Sequence, residues 1–253
     1  MSRVSLKGVG LEFPVFSARS SSLRHSLLRV TTGGLLGADA AGHCVVTALK
    51  DINLELGPGA RVGLIGHNGS GKSTLMRLIA GIYRPTSGAA QVQGRVSAMF
   101  ELGVGADAEL SGEENVVRMG LTAGMSYQEA RARIPEVAEF TELGQFLHLP
   151  VRTYSAGMAM RLYFAMALAK DPEILLIDEI FGAGDAAFQG RAIARLEKQI
   201  FDSQIFIFAS HAEDLLRRLC TDCIVMAKGE MVCMAGVEQA LATYRSLTFG
   251  PTS

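Results

Sequence analysis

A glycine-rich run, GHNGSGKS at residues 66–73, has the spacing G-x-x-x-x-G-K-[ST] that is typical of a phosphate-binding loop. Glycines allow backbone N–H groups to converge on an anion, and a helix that begins within the run adds the positive end of its dipole. We expect Lys72 to reach the β- and γ-phosphates of a bound nucleoside triphosphate and Ser73 to place its hydroxyl on Mg²⁺. The residues predicted to contact the nucleotide in this loop are Gly66, His67, Asn68, Gly69, Ser70, Gly71, Lys72, Ser73 and Thr74.

A pair of carboxylates follows a short apolar strand, ILLIDE at residues 174–179. Asp178 is predicted to hold Mg²⁺, directly or through water, and Glu179 to polarise the attacking water as a general base. Many strands end in an acidic residue that is only solvated, so this pattern is weak by itself. Its place downstream of a phosphate loop favours the catalytic interpretation.

The composition excludes several broad classes of protein. The chain has 253 residues, enough for one or two domains, with 49% hydrophobic and 19% charged residues. Lysine and arginine total 24 against 25 for aspartate and glutamate, a net charge of −1, so no nucleic-acid partner is expected. No apolar run reaches the ~18 residues that a membrane-spanning helix needs, and no signal peptide is expected. We therefore expect a soluble, cytoplasmic protein, which would act at a membrane, if it does so, through a partner.

The order of elements indicates an α/β fold. Residues 3–13 are predicted to form a strand, residues 45–56 a pair of strands, and residues 106–170 a mainly helical segment. The apolar runs EILLID and QIFIFAS are typical of buried parallel strands. A hairpin is predicted to turn at Lys228-Gly229, and residues 237–247 to form a final helix.

Two segments leave alternatives open. Residues 17–46 carry Arg19, Arg24 and Arg29 and form either a solvated surface excursion or a basic helix at a membrane or membrane partner. Cys220 and Cys223 form a lone CxxC pair, which cannot complete a four-ligand zinc site and is more typical of buried thiols.

Four further motifs resemble those of ATP-binding cassette (ABC) ATPases. YSAGM at residues 154–158 resembles the LSGGQ signature, and LSGEEN at 110–115 resembles the end of the Q-loop. Gly184-Asp185 resembles the D-loop, and Ser210-His211 resembles the switch histidine. The resemblance covers about residues 3–245. It implies a P-loop NTPase fold with a RecA-like core, an antiparallel β subdomain and an inserted helical subdomain at about 106–170, in one domain at 1–247 with a tail at 248–253.

The resemblance also implies a site shared between two copies of the chain. ABC ATPases form head-to-tail homodimers that bind two ATP molecules between the phosphate loop of one copy and the signature of the other. His211 would then contact the γ-phosphate, Asp185 would link the two sites, and Glu101 would replace the Q-loop glutamine as a Mg²⁺ ligand. The signature residues that would contact ATP are Ser155, Ala156, Gly157 and Met158.

An aromatic residue before the first turn usually stacks on adenine in this family. Phe13 fits that position best and Phe16 second, although either ring could simply be part of the core.

Three motif variants, YSAGM, ELGVGADAELSGEEN and GAGD, resemble those of the polysaccharide-export branch of the family. This implies an ATPase at the cytoplasmic face of the inner membrane that works with a transmembrane permease to export O-antigen, capsule or teichoic-acid chains. The main alternative is the ATPase of an importer or of a lipid or drug exporter. A soluble ABC protein of translation or DNA repair is disfavoured because the chain has neither a second cassette nor a long coiled coil. A small-molecule kinase is disfavoured because it would not use a signature motif.

Overall fold

The computed structural model describes residues 1–14, 36–38, 44–100, 102–169, 172–178 and 186–249. The chain divides into two compact units. The first unit comprises Met1–Arg95 and Gln204–Ser253, and the second comprises Val96–Ser203. Most of the segment 17–46 lies outside the described residues. In the described part of the chain, no helix is long and apolar enough to cross a membrane.

The first unit contains an antiparallel sheet in the order β2-β3-β1-β5. Its strands are β1 (Arg3–Pro14), β2 (Leu36–Ala38), β3 (Cys44–Leu56) and β5 (Ser87–Gln93). Alternating residues such as Val4, Leu6 and Leu54 are buried, as a half-buried sheet requires. The prediction of two strands at residues 45–56 is wrong. One strand covers the segment, and it pairs with β1 through several register shifts.

The first unit also contains strands in the order β10-β9-β4-β8. Strand β4 (Arg61–Ile65) pairs in parallel with both β8 (Ile205–Ala209) and β9 (Asp222–Ala227). Strand β10 (Glu230–Gly236) returns antiparallel to β9. The connecting hairpin turns at Lys228 (φ 50°) and Gly229 (φ 80°), which confirms the predicted turn. The helices of this unit are α1 (Lys72–Ile79), α7 (Glu213–Leu219) and α8 (Val237–Phe249).

The second unit is mainly helical. A short parallel pair, β6 (Val96–Ala98) and β7 (Ile174–Asp178), accompanies the helices. The helices are α2 (Gly112–Thr122), α3 (Tyr127–Ala132), α4 (Ile134–Thr141), α5 (Ala156–Leu168) and α6 (Ala186–Asp202), with short 3₁₀ helices at Gly144–His148 and Val151–Thr153. A buried cluster that includes Val116, Leu147 and Leu162 forms a core in this unit. The unit extends beyond residues 106–170 because it includes both strands and α6.

Candidate functional site

The phosphate loop joins the end of β4 to the start of α1 in the first unit. Gly71 is the N-cap of α1 and has φ +104°, a left-handed conformation that favours glycine. A Cβ at Gly66 would lie 2.3 Å from the carbonyl oxygen of Met226 and 2.6 Å from Ser70 Oγ. The loop is therefore shaped by close backbone approach. The side chains at its tip, His67 and Asn68, are exposed.

Lys72 occupies the interior of the loop. Its Nζ donates to the carbonyl oxygens of Gly66 (2.5 Å) and His67 (3.2 Å), and the residue is buried. From this position the ammonium group can neutralise an anion held on the backbone N–H groups of the loop. Ser73 is half-buried in the first turn of α1.

The N-terminus of α1 differs electrostatically from those of α2 and α3. Glu114 in α2 and Glu129 in α3 accept from the backbone of their own N-caps, Ser111 and Ser126, in complete capping boxes. These hydrogen bonds lower the pKa of both glutamates. By contrast, the first turn of α1 contains no acidic residue. The positive end of the α1 dipole is therefore not neutralised by a side chain of its own first turn, and it can bind an external anion.

The loop rests on the β9–β10 hairpin. Gly229 N–H donates to the carbonyl oxygen of Ser70 (3.0 Å), and Lys50 N–H donates to the carbonyl oxygen of Gly229 (2.8 Å). Ser70 is fully buried, and its Oγ has no hydrogen-bond partner among the described residues. The Ser70 side chain therefore fills the base of the loop rather than facing solvent.

His211 follows β8 at the edge where the phosphate loop follows β4. The two parallel strands pair Leu64 with Ala209, and Ser210 N–H lies 3.4 Å from the carbonyl oxygen of Leu64. Because carboxyl ends of neighbouring parallel strands share an edge, the structure places exposed His211 on the side of the sheet that carries the loop. Sequence reasoning named both elements, and their shared edge follows from the strand order.

Phe13 lies near the end of β1 in the same unit. Phe13 pairs in register with Val46 of β3. Ala48 lies two residues further along β3, and its carbonyl oxygen would be 3.0 Å from a Cβ added at Gly71 of the phosphate loop. Strand β3 thus connects the neighbourhood of the aromatic ring with the phosphate loop. The ring is half-buried and makes an edge-to-face contact with Tyr83, at 5.2 Å between centroids and 75° between planes. Sequence reasoning missed Tyr83 because this contact joins residues far apart in the chain.

Several predicted residues belong to the second unit or lie outside the described residues. Asp178 ends β7, where the four preceding residues are buried and Asp178 itself is half-buried. This is the strand-end carboxylate that the sequence predicted. The predicted residues Phe16, Glu101, Glu179 and Asp185 lie outside the described residues.

The signature segment forms a helix N-terminus in the second unit. Ser155 is the N-cap of α5, and its Oγ accepts from Met158 N–H (3.2 Å). Ser155 and Ala156 are exposed, and the first turn of α5 has no acidic residue. Among the described residues, a Cβ at Gly157 would meet only Ser155 Oγ, at 3.9 Å. Met158, which stands where the family has glutamine, packs against the buried cluster of this unit.

Arg161 on α5 contacts an aromatic ring and a backbone carbonyl group of the same unit. Its guanidinium lies 5.3 Å from the centroid of the Phe188 ring, and its Nη1 donates to the carbonyl oxygen of Thr141 (3.3 Å). Phe188 also makes edge-to-face contacts with Phe140 and Phe164. The arginine therefore joins the signature helix α5 to α4 and α6 through an aromatic cluster.

The loop at residues 103–111 is bound to one face of α2. Asn115 is fully buried; its Oδ1 accepts from Asp107 N–H (2.7 Å), and its Nδ2 donates to the carbonyl oxygens of Asp107, Leu110 and Ser111 (2.8–3.1 Å). Arg118 Nε donates to the Gly105 carbonyl oxygen (2.8 Å). Because these two side chains are three residues apart, they lie on the same helix face. The loop and α2 therefore form one structural body.

The CxxC cysteines are buried thiols of the first unit. Burial raises the pKa of Cys220 and raises that of Cys223 to about 11. A Cβ at Gly63 would lie 2.5 Å from the Sγ of Cys223, so this thiol packs tightly against β4. Among the described residues, no group of three or more His, Cys, Asp or Glu side chains could hold a metal ion.

The strand–loop–helix site and the parallel strands around it define the class of P-loop ATPases. A family model described as "ABC transporter" matches residues 49–182. The chain is 54% identical over 220 residues to the "O-antigen export system ATP-binding protein RfbE" of Yersinia enterocolitica, covering 87% of this chain and 92% of that protein. It is 42% identical over 222 residues to the "O-antigen export system ATP-binding protein RfbB" of Myxococcus xanthus, covering 87% of this chain and 50% of that protein.

The fold agrees with solved cassette structures. A dimeric ATP-binding cassette in a post-hydrolysis state, bound to ADP and phosphate, matches with a TM-score of 0.66 at 22% identity, over 92% of this chain and 98% of that one. The chain belongs to the ABC transporter family and is an ATP-binding, ATP-hydrolysing cassette. The family resemblance expected from the sequence motifs is thereby confirmed.

Proposed function

We propose that this chain is the ATP-hydrolysing subunit of an ABC exporter that moves a lipid-linked polysaccharide across the cytoplasmic membrane. The observation that carries the proposal is its 54% identity, over 92% of the relative's length, to a protein named for O-antigen export. The cargo is a chain of O-antigen, capsule or teichoic-acid type. The subunit would work at the cytoplasmic face of the membrane, bound to a transmembrane permease.

The first-unit residues would bind the triphosphate. The loop N–H groups and the α1 dipole hold the phosphates, and Lys72, already inside the loop, neutralises their charge. Phe13 stacks on adenine. His211 contacts the γ-phosphate from the sheet edge at which the phosphate loop follows β4.

The metal in this proposal is Mg²⁺. The residues that would hold it are Ser73, through its hydroxyl oxygen, and Asp178 at the end of β7, through its carboxylate, with Glu101 as a further ligand. Oxygen donors of these kinds are the ligands that Mg²⁺ prefers, so the donor set fits. When bound, the ion offsets phosphate charge during hydrolysis. Glu179 polarises the attacking water.

The signature would complete the site of a second copy. The exposed N-terminus of α5 carries no acidic residue in its first turn, which suits the γ-phosphate of ATP held by the partner's loop. The signature residues at this end of the helix are Ser155, Ala156, Gly157 and Met158, and Asp185 would link the two sites. ATP thus favours the closed head-to-tail homodimer, and hydrolysis releases it.

An apolar patch on the second unit would face the permease. The proposed patch is defined by three exposed apolar side chains of this unit, Val104, Leu121 and Tyr127, whose exposed fractions are 53%, 47% and 55%. Val104 lies on the loop that Asn115 and Arg118 bind to α2, and Leu121 lies on α2 itself. A movement of this loop is therefore passed directly to α2, which carries Leu121.

The proposal is tested by replacing the chromosomal gene in the native host with the Lys72→Ala variant. We expect surface polysaccharide to disappear and its lipid-linked precursor to accumulate in the cytoplasm, because transport stops while synthesis continues. The exposed Lys7→Ala variant is the matched control and should export normally. Normal surface polysaccharide in a strain that makes stable, ATPase-dead Lys72→Ala protein would refute polysaccharide export.

The permease-facing patch has its own test. Leu121→Glu should abolish export while the purified subunit keeps its ATPase activity, since the side chain lies at the surface. Phe201→Glu, which alters an apolar side chain that is 76% exposed in the same unit, is the matched control. Unchanged export in the Leu121→Glu strain would remove this patch from the proposal.

A further inference from the structure

The aromatic pair Phe13–Tyr83 joins two elements that carry different parts of the nucleotide site. Phe13 lies near the end of β1, and Tyr83 follows α1, the helix that the phosphate loop opens. Both rings are half-buried, and their edge-to-face geometry is the favourable arrangement for two aromatic side chains. A ring fixed at one edge keeps a defined plane, which is what stacking on a flat base requires.

Backbone and hydroxyl hydrogen bonds hold Tyr83 in place from both sides. Tyr83 N–H donates to the carbonyl oxygen of Arg77 in the last turn of α1 (3.3 Å). Three residues further on, Thr86 N–H donates to the Gly10 carbonyl oxygen (2.9 Å), and Thr86 Oγ1 accepts from Glu12 N–H (3.2 Å). The segment that carries Tyr83 is therefore bound both to the phosphate-loop helix and to the residue before Phe13.

We propose that Tyr83 is a positioning residue that orients the Phe13 ring for stacking on the base of the bound nucleotide. This inference rests on the proposed role of Phe13 in the ATP site. Tyr83 acts through Phe13 rather than through the phosphates, because its side chain contacts the ring while its backbone extends from the far end of α1. The proposal therefore predicts that losing the Tyr83 ring weakens binding of the base and leaves binding of the phosphates unchanged.

The test is steady-state ATP hydrolysis by the full-length protein, with inorganic tripolyphosphate as a competitive inhibitor that lacks a base. Tyr83→Leu should raise KM for ATP about three- to tenfold, the range expected for one aromatic pair, with kcat unchanged. The inhibition constant of tripolyphosphate should not change. Tyr83→Phe should restore the wild-type KM because it keeps the ring edge. Tyr244→Leu, on α8 of the same unit, is the control for loss of a tyrosine ring.

Three results would overturn the inference. If Tyr83→Leu weakens tripolyphosphate and ATP equally, the residue acts through the phosphate loop. If Tyr83→Phe is as impaired as Tyr83→Leu, the ring edge is not what matters. If Phe13→Leu raises KM and Tyr83→Leu does not, Phe13 stacks on the base without help. An unchanged KM in Phe13→Leu would instead refute the proposed base site itself.

Discussion

Replacing Asn115 with alanine should destabilise the second unit by about 3 kcal/mol, because the side chain bonds several backbone groups of the loop at residues 103–111 to α2. Asn115→Ala removes four hydrogen bonds, which contribute unequally to the free energy of unfolding. The carbonyl oxygens of Asp107, Leu110 and Ser111 each keep another donor, namely the N–H groups of Leu110, Val151 and Asn115. Each of these losses should contribute about 0.5 kcal/mol.

The fourth hydrogen bond has a larger effect. Within the described residues, Asp107 N–H donates to Asn115 Oδ1, and the substitution leaves this donor without that acceptor. An unsatisfied donor in a partly buried loop costs about 1–3 kcal/mol, which brings the expected total to about 2.5–4.5 kcal/mol. The Asn115→Asp variant should be worse than Asn115→Ala at neutral pH, because a carboxylate would face three carbonyl oxygens. Part of that excess should disappear as the pH falls and the buried carboxyl group is protonated.

Urea unfolding of the purified variants measures these changes through the shift in the midpoint. The matched control is Gln128→Ala, which removes an exposed amide from α3 in the same unit and should change stability by no more than about 0.5 kcal/mol. If Asn115→Ala proves no less stable than this control, the four hydrogen bonds do not hold the loop, and the argument that loop and helix move together fails.

Three further predictions concern the first unit. Gly66→Ala should abolish ATP binding, because its Cβ would lie 2.3 Å from the Met226 carbonyl oxygen. Gly59→Ala, at a glycine with a positive φ but nothing within 4 Å of an added Cβ, should bind ATP normally and lose only about 1 kcal/mol of folding stability. Calorimetric titration with ATP compares the two variants. Iodoacetamide at pH 8 should label half-buried Cys233 before Cys223. Cys223 is completely buried and has a pKa of about 11, so it stays a protonated thiol. The native protein is labelled first, and mass spectrometry of its peptides then identifies the modified cysteine. Because the folded-state pKa of Cys223 is raised, its contribution to stability should be lost as the pH rises from about 9 to 11, which unfolding at a series of pH values measures.

Features that depend on neighbours in the chain could be predicted from the sequence. The phosphate loop requires glycines, a lysine and a hydroxyl within eight residues, and the Lys228-Gly229 turn requires left-handed conformations at two adjacent positions. The Ser155 N-cap depends on residues only three positions apart. Local geometry of this kind is encoded by residue type and spacing, so these elements are found where the sequence places them.

Features that depend on distant residues required the tertiary structure. The length of β3 was misread because pairing with β1, including its register shifts, decides where that strand continues. The Phe13–Tyr83 pair and the stacking of Arg161 on Phe188 join residues from different elements. The periodicity of apolar residues can indicate that such side chains are buried, but it cannot identify the residues that they contact. By itself the sequence determined the chemistry of the loop and the family, whereas the partners of Phe13, Arg161 and Asn115 follow only from how the strands and helices pack.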